Sequence, residues 1–237
     1  MDERSTSELI VTLGEDFQRC YSNVIKDIEN GEKQEDGSTL AEHEFNARQL
    51  VRAGFAYIEG VSFAMKIAAI DDAIENGIEL TQAEIDFAFE VSHQLNEKGN
   101  VVEVSAHINL TKNIKFAFNL YSKAHSLNQS FDAGLTWWSD LKKAIKIRDR
   151  LMHPRSPENL DIEPNEVITV ISAVRGFEAL LVEYIGKKHN KRFNQGTLNS
   201  RLRSFVAYFS LLFLRRLSER YAFWKLRLWN RNFLSSS

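Results

Sequence analysis

Residues 142–157 read KKAIKIRDRLMHPRSP. Ala144 and Ile145 are followed seven residues on by Leu151 and Met152, two helical turns later, which is the spacing of one helix face and not of a strand. Pro154 ends the pattern, because proline pushes the residue before it out of the α region. The stretch is therefore the end of a helix that begins near Leu135 and stops at His153. The same 3.6-residue period organises most of the chain on either side of it.

Composition agrees with a helical globular protein. Of 237 residues, 43% are hydrophobic and 26% charged, and only three prolines and eleven glycines punctuate them, too few for a sandwich or barrel of many short strands. Working outward, Leu9, Leu13, Phe17, Val24 and Ile28 mark a first helix over about 7–30. Thr39 with Glu42, and Thr81 with Glu84, read as capping boxes in which each side chain serves the other residue's free backbone amide. They open helices predicted to run to Asn76-Gly77 and to Gly99. The segment VVEVSAHINL (101–110) has β-branched residues but no partner strand, so it reads as a connector into a helix over 111–126. After the loop PRSPENLDIEP, a sixth helix starts at Asn165. The expected fold is all-α: an up-down helical bundle over 1–190 with antiparallel neighbours. A linker and an additional C-terminal amphipathic helix, basic and aromatic, occupy 191–237.

Net charge is −2, but it is unevenly spread: from Asn199 onward there are eight Lys/Arg against one Glu, which leaves 22 basic and 31 acidic residues before it. The basic segment includes an apolar run from Phe205 to Leu214, roughly 15 Å of helix, half of what a bilayer requires. Residues 198–229 could cover the bundle, stack on RNA bases, dock into a partner or make peripheral membrane contact. The start MDERSTSELI is acidic where a secretion signal is basic, and the single cysteine, Cys20, forms no internal pair, so a cytoplasmic protein is expected. No histidine lies a turn from Cys20, which argues against a nucleophilic role. The six histidines are scattered, with no metal-ligand spacing and no glycine-rich nucleotide loop, so no metal and no cofactor are expected.

One residue is out of place. On a helical projection, Trp137, Leu141, Ala144, Ile145, Leu151 and Met152 all fall within about 60° of Arg148, which puts an arginine at the centre of an apolar stripe. A buried unpaired charge costs several kcal/mol, so Arg148 requires an acidic neighbour, a second subunit or an anionic ligand. His153 lies on the flank of the stripe, four residues after Asp149. A carboxylate at that spacing and the negative end of the helix both favour the imidazolium form. Either a bundle salt bridge with a favourable C-terminal histidine, or a phosphate site, fits this spacing.

An arginine, a polar residue, three variable positions and a histidine at the end of a bundle helix resemble the HEPN motif; here they are Arg148, Asp149, Arg150, Leu151, Met152 and His153. The proline after the histidine and the long helix ARQLVRAGFAYIEGVSFAMK (47–66), with Glu59 near the stripe Val51, Phe55, Ile58 and Met65, resemble the family too. The resemblance covers roughly 40–190. It implies a four-helix up-down core, a homodimer through the motif helix, and in many members metal-independent endoribonuclease activity, as in toxins or defence effectors. Other members are non-catalytic RNA- or protein-binding modules. It implies that Arg148 holds the scissile phosphate and that His153 exchanges protons at the ribose 2′-hydroxyl or the leaving 5′-oxygen, leaving a 2′,3′-cyclic phosphate. Asp149 would orient His153, although asparagine is common there in the family. Arg150, Arg155 and Lys142 are candidates for flanking phosphates or for a plain solvated face. RNA and an antitoxin or other regulatory protein are the implied partners.

Overall fold

The structure is a computed structural model that describes residues 3–31 and 37–194. Its described elements are α1 (Glu3–Gly31), α2 (Gly37–Glu75), α3 (Gln82–Ala88), β1 (Val91–Leu95), β2 (Val101–Ser105), α4 (Leu110–Ala124), α5 (Thr136–Met152), a 3-10 turn (Pro157–Leu160) and α6 (Pro164–Asn194). The all-α class holds. The basic segment 198–229 lies outside the described residues. The chain forms two compact units: Met1–Gly14 with Ala56–Gly134, and Glu15–Phe55 with Leu135–Ser237.

In the second unit, helices pack antiparallel. Asn46 Nδ2 donates to Asp27 Oδ2 at 2.8 Å between α2 and α1. Ser172 Oγ donates to Asp140 Oδ2 at 2.8 Å between α6 and α5. Glycines set the closest approaches. A methyl group on Gly54 would lie 3.1 Å from Val174 and 3.5 Å from Phe17, and one on Gly176 would collide with Trp137. Phe17, Leu50, Trp138, Leu141, Leu151, Ile171 and Phe177 are fully enclosed. Each large apolar side chain buried in this way contributes about 1.5–3 kcal/mol relative to exposure.

In the first unit the sequence reading needs correction. The Thr81/Glu84 capping box is present, with Glu84 N–H donating to Thr81 Oγ1 at 3.2 Å and Thr81 N–H to Glu84 Oε2 at 2.8 Å. The helix it starts ends at Ala88 and not at Gly99. Glu90 then takes a left-handed backbone (φ 58°), and β1 and β2 pair antiparallel with Val91 opposite Ser105 and Leu95 opposite Val101. The partner strand that 101–105 needed is thus 91–95. Gly99 supplies the positive φ of the connecting loop, where Asn96 Oδ1 accepts from Lys98 and Asn100 N–H groups, each at 3.0 Å. Likewise α2 starts at Gly37, two residues before Thr39.

The short helix and the hairpin together take the place of the expected third helix. Lys66 meets Asn113, while Asp72 and Asn76, near the end of α2, meet His125 and the Ala124 carbonyl just past α4. α2 and α4 therefore run parallel, the relation an up-down order gives its second and fourth elements, with 82–105 returning the chain to the starting end.

Candidate functional site at the end of α5

α5 has no side-chain cap at Leu135 and ends with His153 at the C-cap, φ −128° and ψ 57°. Its buried residues are Trp137, Trp138, Leu141, Ala144, Ile147 and Leu151. This band turns along the helix. At the C-terminal end it passes through Ile147 and Leu151, so Met152, 53% exposed, and Arg148, whose side chain is 24% exposed, lie on its margin. Arg148 is not at the centre of the stripe, as an unbending 100° projection placed it. Its guanidinium carbon sits 5.0 Å from the centre of the Phe55 ring, an arrangement that lets the cation shed some water against a π face.

One acidic neighbour is Asp149. Arg148 Nε and Nη2 donate to Asp149 Oδ1 at 3.1 and 3.0 Å. The carboxylate is 56% exposed, so this local pair contributes at most about 1 kcal/mol to stability and can be exchanged for another anion. It also alters one expectation: the Asp149 carboxylate is turned to Arg148, and among the described residues no side-chain hydrogen bond or ion pair joins it to His153. The imidazole of His153 is exposed and carries no side-chain bond among the described residues; only its backbone N–H is used, donating to the Asp149 carbonyl at 3.1 Å.

Arg150 does something the sequence reading did not foresee. Its Nη1 donates to the carbonyls of Asp161 at 2.7 Å and Asn159 at 3.3 Å, and its Nη2 to Glu166 Oε2 at 2.6 Å. The same Glu166 oxygen accepts from the Glu163 N–H at 3.1 Å, opening α6. Arg48, from α2, donates to the Leu160 carbonyl at 3.4 Å. Two arginines therefore tie down the loop after α5, and three of the Arg150 guanidinium bonds go to that loop and to Glu166. Glu166 in the first turn of α6 was the readable signal for it. Arg155 uses its backbone N–H, to Asn159 Oδ1 at 2.9 Å, and leaves its exposed side chain to solvent. Lys142 is exposed further back on α5. Glu59 is exposed, on the part of α2 that belongs to the first unit.

The structure thus joins Arg148 to Asp149, holds His153 and Arg155 at the two sides of Pro154, and engages Arg150 with the loop after α5 and with Glu166. Among the described residues no cluster of three or more metal-ligating side chains forms. Burial and the Asp16 charge raise the Cys20 thiol above its usual range, which keeps it in its less reactive form.

The sequence reading passed over a second buried charge. Lys66, 0% exposed, donates to Glu90 Oε1 at 2.7 Å and Asn113 Oδ1 at 2.8 Å, and Asn113 Nδ2 donates back to the same Glu90 oxygen at 2.9 Å. Burial lowers the lysine from its ordinary value, and the bond to and charge of Glu90 recover only part of this. For Glu90, burial raises the carboxyl, but the bonds from Lys66 and Asn113 and the lysine charge outweigh it and leave it below the ordinary carboxylate range. Lys66 closes the base of the hairpin, its ammonium held between Glu90 and Asn113.

No protein-family model, curated protein or solved structure matches the chain.

Proposed function

We propose that the end of α5 is the site of a metal-independent endoribonuclease of HEPN type, acting on single-stranded RNA. The observation that carries this reading is the pairing of an exchangeable, aromatic-backed guanidinium at Arg148 with an exposed histidine, His153, five residues later at the helix end. The phosphate of the RNA displaces Asp149 from Arg148. A guanidinium suits that task, since it stays charged and matches the oxygen spacing of phosphate. The ribose 2′-oxygen attacks phosphorus, and the bond from phosphorus to the 5′-oxygen breaks. A His153 imidazole removes the 2′-hydroxyl proton, and an imidazolium protonates the departing oxygen. In a homodimer through the motif helix, the two copies of His153 divide these roles. Arg148 stabilises the added charge on the phosphorane, and the product is a 2′,3′-cyclic phosphate. Lys142 and Arg155 serve flanking phosphates. DNA is not a substrate, because it lacks the nucleophile.

Purified protein is expected to cleave single-stranded RNA in EDTA and to leave cyclic ends detectable by mass spectrometry. Arg148→Ala and His153→Ala each reduce the rate by roughly 100- to 10,000-fold with unchanged circular dichroism. Cleavage at the wild-type rate in both variants overturns the reading. A second reading, a non-catalytic HEPN dimer that binds RNA or protein, is favoured by Asp149 occupying Arg148. It predicts salt-sensitive binding with no product. Toxin or defence activity, and an antitoxin as regulator, go with the first reading.

A further inference from the structure

Among the described residues strand β2 has an open side. The described sheet has two strands, so β2 pairs only with β1. The bonds Ala106 N–H to Glu90 carbonyl (2.7 Å) and Asn96 N–H to Asn100 carbonyl (2.9 Å) identify 90/106 and 96/100 as hydrogen-bonded pairs. Antiparallel ladders alternate, so 92/104 and 94/102 are bonded, while the N–H and C=O groups of Val101, Glu103 and Ser105 point away from β1. All three residues are exposed, and Val101 and its partner Leu95 are 68% and 69% exposed, forming an apolar pair at the end of the ladder. A five-residue edge with outward amides, three valines and an uncovered apolar pair is a template for strand addition.

Charge decides what fits. Residues 82–105 hold five carboxylates against Lys98. Glu84 pairs with Lys123, Glu90 with Lys66, and Asp86 lies 3.8 Å from His93. Glu103, at the middle of the edge, and Glu97, in the loop, have no ion pair among the described residues. A second copy adding antiparallel to β2 in the symmetric register would set Glu103 opposite Glu103, and like charges directly opposite are destabilising. The edge discourages self-pairing and favours a cation.

We propose that the β2 edge is a docking site for an extended segment of a partner protein, carrying a basic residue opposite Glu103 and an apolar residue two positions away against Val101 and Leu95. Main-chain bonds to Val101, Glu103 and Ser105 hold the segment, and Glu103 selects its charge. This site lies in the first unit and does not depend on the ribonuclease reading.

The test uses the full chain and a blocked peptide, acetyl-Lys-Val-Thr-Lys-Thr-Val-Lys-amide, with the matching peptide in which glutamate replaces the central lysine as control. Residue-resolved amide exchange is expected to slow at least tenfold at Val101, Glu103 and Ser105 under saturating lysine peptide, and to remain unchanged with the control. Glu103→Lys reverses the preference between the two peptides. Glu103→Pro removes an outward N–H without touching the 92/104 and 94/102 bonds, and abolishes binding while those amides stay protected. Equal binding of both peptides, no protection at the three amides, or wild-type binding by Glu103→Pro overturns the proposal. So does concentration-dependent protection of the edge without any peptide, which would assign it to a second copy.

Discussion

The Lys66 clamp allows a prediction in which removing either partner has different consequences. Glu90→Gln leaves the ammonium of Lys66, 0% exposed, facing neutral acceptors and the Phe63 ring centred 5.5 Å away. Stripping the partner from a fully buried charge costs about 3–5 kcal/mol. The Glu90 side chain is 36% exposed, so water screens part of the lost attraction, and about 2 kcal/mol is the expected cost. Lys66→Met removes the charge that is hard to bury and keeps a similar volume, while Glu90 retains Asn113 and solvent; about 1 kcal/mol or less is expected. For a chain of this length the first change lowers Tm by roughly 4–8 °C and the second by less than about 4 °C. Acid adds a second discriminator. A carboxyl held below its ordinary value contributes stability that is complete above 4.5 and is lost as pH falls through the folded-state value, so wild type weakens on acidification there and Glu90→Gln weakens less. Lys66 acts oppositely: between its lowered folded value and 10.5 the unfolded chain binds more protons, so its own contribution rises with pH. Thermal melts followed by far-ultraviolet circular dichroism measure both. A Lys66→Met variant that loses as much stability as Glu90→Gln would refute the reasoning.

Two further predictions concern the end of α5. Asp149→Asn weakens one partner of Arg148 and removes a carboxylate about 6 Å from a bound phosphate, a repulsion worth about 0.7 kcal/mol in water; RNA should bind roughly threefold more tightly at low salt in filter binding, and unchanged affinity refutes the exchange of Asp149 for phosphate. Arg150→Met leaves the Asp161 and Asn159 carbonyls and Glu166 without their donor and should cost about 2 kcal/mol in denaturant unfolding; if RNA affinity falls with stability untouched, Arg150 is a ligand after all.

The helices were legible because their apolar period is long and regular, and α5 stops where Pro154 requires it to. The hairpin was not. VSHQL (91–95) lacks clean alternation, and the Thr81/Glu84 box drew the eye into a helix, although NEKGN (96–100) carries the glycine and asparagines of a hairpin loop. For Arg148 a fixed projection hides the turning of the buried band towards Ile147 and Leu151, which leaves the guanidinium at its margin and not at the centre of the stripe. Lys66, a lysine inside GVSFAMKIAAI, is marked by its apolar surroundings as a buried charge, but its partners are 24 and 47 residues away, and periodicity carries no information about pairing at that distance. Asp149 and His153 have the right helical spacing to meet, yet the shorter reach from Asp149 to Arg148 wins.

The order in which the chain is made gives the division into units another meaning. Ala56–Gly134 interrupts the unit that contains Glu15–Phe55. During synthesis the first unit has all its residues once Gly134 emerges, whereas Phe17, Tyr21, Leu50, Val51 and Phe55 must wait for α5 and α6. At about 5–20 residues per second that wait is roughly 3–12 s. For that interval the nascent chain carries an apolar surface suited to chaperone capture, and a message truncated there yields a product that cannot cover it.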